Sequence, residues 1–219
     1  MERTTIEQAI NIMGTNFIGP NELNALSERM GILTTDEIAD TIPEIKHSPS
    51  LLTKLSKNYI LILGIPYSKD KMPLTLNRMR EFFGIDPDIN EPCFYNQDWY
   101  IKESFANNKT LDFKWYLIRK IILEDSRAVA PENYISKFNS NQKLPSAILT
   151  AFTFFVWYLQ TGGEILWKHD FLWCSDIDHN GDRIYTGKYI DVNKINKNGF
   201  SIHRHLAIRS FYGITDEYV

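Results

Sequence analysis

The sequence predicts an α+β fold: a helical N-terminal half, a mostly antiparallel sheet ending in a C-terminal meander, and a buried central helix near 145–161. Three observations carry that expectation. Short apolar stripes at helical spacing fill the first third, set between capping and breaking residues. Residues 144–163 carry no charge, and residues 147–159 are apolar except for Thr150 and Thr153. After residue 170, alternating segments flank two Asn-Gly pairs, which favour hairpins.

Taken in order, Ile6, Ile10 and Met13 share one face of a first helix. Pro20 opens a second, with Leu23, Leu26 and Met30 along one side and Gly31 as its stop. Thr34 and Glu37 have the spacing of a capping box. Ser48-Pro49 starts a short helix carrying Leu51, Leu52 and Leu55. Residues 59–65 form an unbroken apolar run ended by Pro66, as expected of a strand buried on both faces. A helix over 73–83 would turn Leu76, Met79, Phe82 and Phe83 inward, closed by Gly84. Asp86 to Pro92 reads as a loop, and Asn96 as the cap of a helix to Ala106. Residues 113–123 alternate as a strand, although Phe113, Leu117 and Ile121 also fit a helix; strand is favoured. The polar stretch 124–143 is the expected mobile segment.

The central helix has Pro145 in its first turn and Gly162-Gly163 at its end. Ser146, Thr150, Thr153, Trp157 and Gln160 give it a weak polar stripe, suited to close approach of another element. Its apolar part is shorter than the about 20 residues of a membrane span. Residues 170–175 and 183–190 then flank Asn180-Gly181, both expected at positive φ, and Asn198-Gly199 precedes a strand over 200–206. A single domain over 1–219 is expected, with two lobes meeting near 110 if it divides.

Composition narrows function. The chain is 43% hydrophobic and 23% charged, which is that of a folded protein. Its formal net charge is −3, and its longest basic cluster, Arg204 to Arg209 with His203 and His205, is interrupted by apolar residues; nucleic acid is therefore not an expected partner. The 13 Phe, 11 Tyr and 5 Trp are expected to fill the core, the alternative being an exposed stacking surface. Cys93 and Cys174 lie far apart without a metal or redox spacing, so both are expected to be buried free thiols. Met1 to Gln8 is polar and lacks an apolar signal core, which points to a soluble, cytoplasmic protein with no membrane partner.

Asp176-x-Asp178-x-Asn180-Gly181-Asp182 matches the first half of a calcium loop, whose oxygens wrap a hard cation. The twelfth position is Gly187 rather than a bidentate Glu, and strands flank it, so an EF-hand is excluded. A different divalent-cation site remains open, with Asp191 as a further ligand; the competing reading is that Asp and Asn simply favour turns. His203-x-His205 on a strand would put both imidazoles on one face beside Ser201, leaving Phe200, Ile202, Arg204 and Leu206 on the other. With the hairpin carboxylates, such a pair would hold zinc, manganese or iron and activate water. A helix there would separate the two rings by about 200°. No nucleophile elbow or phosphate-binding loop occurs. Asn96-Gln97-Asp98-Trp99-Tyr100 reads either as a grip on a polar ligand or as a cap with two core aromatics.

Several short pieces carry a resemblance. They are Phe17-Ile18-Gly19-Pro20 with Glu22-Leu23, Trp115 with Leu117 and Arg119-Lys120, Thr161-Gly162 with Glu164, and Cys174-Ser175-Asp176-x-Asp178 with Gly181 and Gly187. In these the chain resembles an uncharacterised group of bacterial hypothetical proteins. The resemblance implies no substrate, cofactor or catalytic residue, and it does not include His203 or His205.

Three functions follow as expectations. The first is a non-enzymatic binding or interaction protein with a protein or small-molecule partner, favoured by aromatic richness and the lack of a complete catalytic motif. The alternative is a metal-dependent hydrolase-like enzyme using Asp176, Asp178 and Asp182, with His203 and His205. The third is a structural or oligomer-forming protein of a mobile element.

Overall fold

Tyr59–Leu63 is buried along its whole length, as an unbroken apolar run demands. In the computed structural model, which describes residues 3–204 and 208–219, this strand (β2) has a neighbour on each side. β1 (Phe17–Ile18) pairs with it in parallel and β3 (Trp115–Arg119) antiparallel. β3 next pairs with the C-terminal β9 (Glu217–Tyr218), which pairs in turn with β4 (Gln142–Lys143). A second sheet holds β5 (Phe171–Ile177), β6 (Arg183–Gly187), β7 (Ser201–His203) and β8 (Tyr212–Gly213) in the order β7-β6-β5-β8. The expected α+β class and the meander, β5-β6-β7, are therefore present. The one expected sheet is two, because only β9 returns to pair with β3.

Among the described residues the helices are α1 (Ile6–Met13), α2 (Pro20–Met30), α3 (Thr35–Ile38), α4 (Pro49–Leu55), α5 (Leu76–Phe83), α6 (Ser104–Asn107), α7 (Pro131–Ile135) and α8 (Ala147–Thr161). Leu23, Leu26 and Met30 are buried, and Gly31 ends α2 at φ +62°, as expected. Glu37 accepts from both the N–H and the hydroxyl of Thr34 ahead of α3. α8 is nearly all buried, between α2 and α5 on one side and the second sheet on the other. Ser146 is its N-cap, so Pro145 stands one residue before the cap, outside the first turn. Among the described residues no helix is long and apolar enough to cross a membrane.

Several local expectations change. In α1 the buried positions are Ala9 and Met13, one turn apart, while Ile6 and Ile10 are exposed. In α5 the inward stripe is Leu76, Met79 and Phe83; Phe82 is 48% exposed and lies flat on Gly31, where a Cβ would come within 2.5 Å of its ring. Asn96 caps no helix. Residues 96–98 are irregular, residues 99–102 form a turn, and only Ser104–Asn107 is helical. Gln97 and Trp99 are instead drawn onto β7, where Trp99 Nε1 donates to Ile202 O (3.0 Å) and Ile202 N to Gln97 Oε1 (3.2 Å). The loop-rich 124–143 stretch also carries α7, β4 and the buried Tyr134.

The Asn180-Gly181 hairpin closes differently from a two-residue turn. Asp178 N donates to Asp182 O (2.9 Å) and Gly181 N to Asp178 O (3.1 Å), with Gly181 at φ +89°. That is a three-residue loop, in which only the glycine needs positive φ.

The second sheet is two-faced. Cys174 and Thr186 point at α8, where the Thr150 and Thr186 hydroxyls meet at 2.8 Å. Phe171, Trp173, Tyr185 and Tyr212 form a separate aromatic core with Tyr134, Leu144 and Ile214. The main core runs from Ala9 to Ile202.

A buried polar cluster locks the first sheet. Asp216 is fully buried; it accepts from Arg119 Nε (2.6 Å), Tyr59 OH (2.6 Å) and Gln142 Nε2 (3.0 Å). Arg119 also donates to Tyr59 OH (2.7 Å). Burial, then Asp216, drives the Tyr59 phenol well above its ordinary pKa. Removing one partner of a buried pair strands the other, at a cost of about 3–5 kcal/mol. Asp216→Ala is therefore expected to lower unfolding free energy in urea by about that amount, and Tyr59→Phe by about 1.5–3 kcal/mol. A loss below about 1 kcal/mol for Asp216→Ala would show that the cluster does not hold β9.

Candidate binding cleft

The alternation of β5 sends Asp176 to the α8 side, where its side chain is 3% exposed. Its Oδ2 accepts from Ala147 N (2.6 Å), a free N–H in the first turn of α8, where the helix dipole favours negative charge. Its Oδ1 accepts from Lys109 Nζ (2.7 Å). Ser175 N donates to Pro145 O (2.9 Å), so the strand and the helix start are joined by backbone as well.

Two residues on, Asp178 folds into the hairpin loop. Its Oδ1 accepts from Asn180 N and Asp182 N, each at 2.9 Å. This is the local side-chain turn that Asp favours. Its Oδ2 accepts from Arg204 Nη1 at 2.5 Å. Burial alone would raise its pKa, but Arg204 and the two N–H groups outweigh that and hold the carboxyl below its ordinary 3.8.

The loop tip is anchored by Glu103, just before α6. Glu103 Oε2 accepts from His179 N (3.0 Å) and Oε1 from His179 Nδ1 (2.6 Å). Arg204 Nη1 lies 3.6 Å from the same carboxylate, and its guanidinium sits 4.6 Å above the Trp99 ring. Between the hairpin and residues 99–109 lies an open cleft of about 950 Å³. Trp99, Lys102, Lys109, Ser175, Ile177 and His179 are among its lining residues.

The expected ligands are distributed as follows. Asp176 and Asp178 line this cleft. Asp182 sits half-buried at the base of the loop. His203 lines a different hollow, together with Ser201 on the same face. It accepts from Gln97 Nε2 at its own Nε2 (2.8 Å) and stacks on Tyr185. Burial, helped by Lys188, pushes its pKa down to about 4, so it is neutral at pH 7. His205 lies outside the described residues. Asp191 accepts from the N–H groups of Asn196 (2.5 Å), Ile195 (3.0 Å) and Asn193 (3.1 Å), closing its own loop. Among the described residues, Asp176 and Asp178 thus line one hollow, and His203 and Asp191 another. Burial pushes the Cys93 and Cys174 thiols up to about 11 and about 12, so neither is a thiolate at neutral pH.

Among the described residues one group has metal-ligand geometry: Glu103, Asp178 and His179, with ligand atoms within 4.8 Å of one another. Sequence reasoning reached Asp178 but not Glu103, which is 76 residues from His179 and carries no local signal. Arg204 was legible only as facing away from His203, which is where it lies. Compared with known proteins, the chain matches no family model, no curated protein and no solved structure.

Asp178 has a depressed pKa in the folded state, so its stabilisation is present above about pH 4 and is lost as pH falls through the folded value. Asp178→Asn is therefore expected to lower the melting temperature at pH 7, with the gap to wild type narrowing on acidification below pH 4. A gap that does not change with pH would contradict the pairing with Arg204.

Proposed function

We propose that this chain is a non-enzymatic binding protein whose partner seats in the cleft between the 178–182 loop and residues 99–109. The observation that supports this reading is the pairing of the buried carboxylates. Asp176, Asp178 and Glu103 each hold a cationic or imidazole side chain from a distant segment. Such pairs fix Lys109, Arg204 and His179 in place before any ligand arrives, which lowers the cost of binding. The cleft then presents Lys102, Lys109 and the His179 ring beside Trp99. That mixture suits a polar small molecule or peptide segment carrying an anionic group. The buried free thiols support a cytoplasmic setting.

One observation favours a second reading, the metal-dependent hydrolase: the Glu103–Asp178–His179 group. Here the Arg204 guanidinium occupies the carboxylates, so a divalent cation would have to displace it from Asp178.

The two are separated by melting the protein against a panel of organic acids, amino acids, dipeptides and sugars, and against calcium, manganese and zinc with EDTA controls. Binding is supported by an organic ligand that raises the melting temperature of wild type and fails to do so in Lys109→Ala and Trp99→Ala. Metal-dependent turnover of a phosphate or ester substrate, abolished by Asp178→Asn, would overturn it.

A further inference from the structure

A second hollow, of about 290 Å³, opens on the face of the β5-β6-β7 sheet turned away from α8. Its size is at the small end of ligand sites. Phe171, Phe211 and Tyr212 give it aromatic walls, and Ser201 and His203 lie beneath. Its charge is one-sided. Lys197 is already paired with Asp86 (2.7 Å) and Asp88 (2.6 Å). Asp191, the acidic residue of the lining, spends its oxygens on its own loop. Lys188 and Arg209 remain, and among the described residues neither has a carboxylate within 4.0 Å.

Lys188 is the unusual member. Its Nζ stands 5.1 Å from the Phe211 ring centroid and 5.7 Å from that of Phe171. The ammonium is held against two aromatic faces without an anion. Its backbone is at φ +41°, in the left-handed region that favours glycine. Strained backbone of this kind gathers at ligand-binding positions. Its charge is felt inside the hollow, where it adds to burial in keeping His203 neutral. A neutral imidazole and a serine leave hydrogen-bonding groups on the floor without adding a competing charge.

The geometry points to a binding site for a small aromatic anion, a carboxylate or phosphate borne on a flat ring, with Lys188 and Arg209 taking the charge and Phe171, Phe211 and Tyr212 flanking the ring. The anion completes the coordination that Lys188 lacks, and the ring exploits walls that a bare inorganic anion would leave unused. This site is separate from the cleft near Asp178 and does not depend on the function proposed for it.

Calorimetric titration of the full chain with phenyl phosphate, benzoate, inorganic phosphate and benzyl alcohol tests it. Phenyl phosphate, benzoate or both are expected to bind one-to-one and raise the melting temperature. Inorganic phosphate and benzyl alcohol are expected to bind at least tenfold more weakly. Which aromatic anion binds more tightly separates a phosphate from a carboxylate ligand. Lys188→Gly relieves the positive φ while removing the ammonium, so it is expected to keep the unliganded melting temperature and weaken binding at least tenfold. Lys188→Asn, a residue type that also tolerates that backbone, gives the same reading if glycine loosens the loop. Lys109→Ala, in the other cleft, should leave this binding unchanged. The inference is overturned if neither aromatic anion binds at millimolar concentration, if benzyl alcohol or inorganic phosphate binds as tightly, or if both Lys188 variants bind as wild type does.

Discussion

A carboxylate removed from water must find a cation or N–H donors, and that requirement organises this molecule. Asp216 joins Arg119, 97 residues earlier, and so inserts the C-terminal strand between β3 and β4. Asp176 joins Lys109, 67 residues earlier, and the first turn of α8. Asp178 and Glu103 share Arg204, and Glu103 also holds His179, which sets the hairpin against the 99–109 segment. Pairs of this kind add little net stability over apolar packing, because desolvation offsets attraction. What they fix is position. A hydrophobic core tolerates sliding by part of a residue, whereas a buried carboxylate without its partner does not.

The two surfaces suited to binding follow from this arrangement and from strand alternation. One side of the β5-β6-β7 meander is sealed by α8, through contacts such as Thr150 with Thr186. The other side carries the aromatic core of Phe171, Trp173, Tyr185 and Tyr212, and at its margin the hollow under Lys188. The cleft with Lys109, His179 and Arg204 opens where β5 runs into its loop. Most of the aromatic content is interior packing. Trp99 is a half-buried exception, and both its indole N–H and its ring face are engaged, by Ile202 O and Arg204.

The elements that read clearly from sequence are those whose local and tertiary preferences agree. β2 has an unbroken apolar run and is buried throughout. α8 has Ser146 and Gly162 at its ends and apolar residues between. α2 has proline at its start and glycine at its end. The misread segments are those where a distant partner decides. Residues 96–103 resemble a helix start, but Gln97 and Trp99 are held by the backbone of β7, more than 100 positions away. Phe82 is apolar enough for a core, yet the inward stripe of α5 leaves it on Gly31. The acidic hairpin invited a cation-site reading because Asp-x-Asp-x-Asn-Gly spells both a metal loop and a turn. Lys109, Arg204 and the start of α8, which take up Asp176 and Asp178, are remote in sequence, and nothing in the motif names them.

The central claim is that the hairpin aspartates act as fasteners holding cationic side chains over the cleft. The most direct measurement is a double-mutant cycle for Asp178 and Arg204, using Asp178→Ala, Arg204→Ala and the double variant, by urea unfolding at pH 7 with EDTA present. The account predicts that the two costs do not add, with a coupling of about 1–3 kcal/mol. Costs that add to within about 0.5 kcal/mol would contradict it.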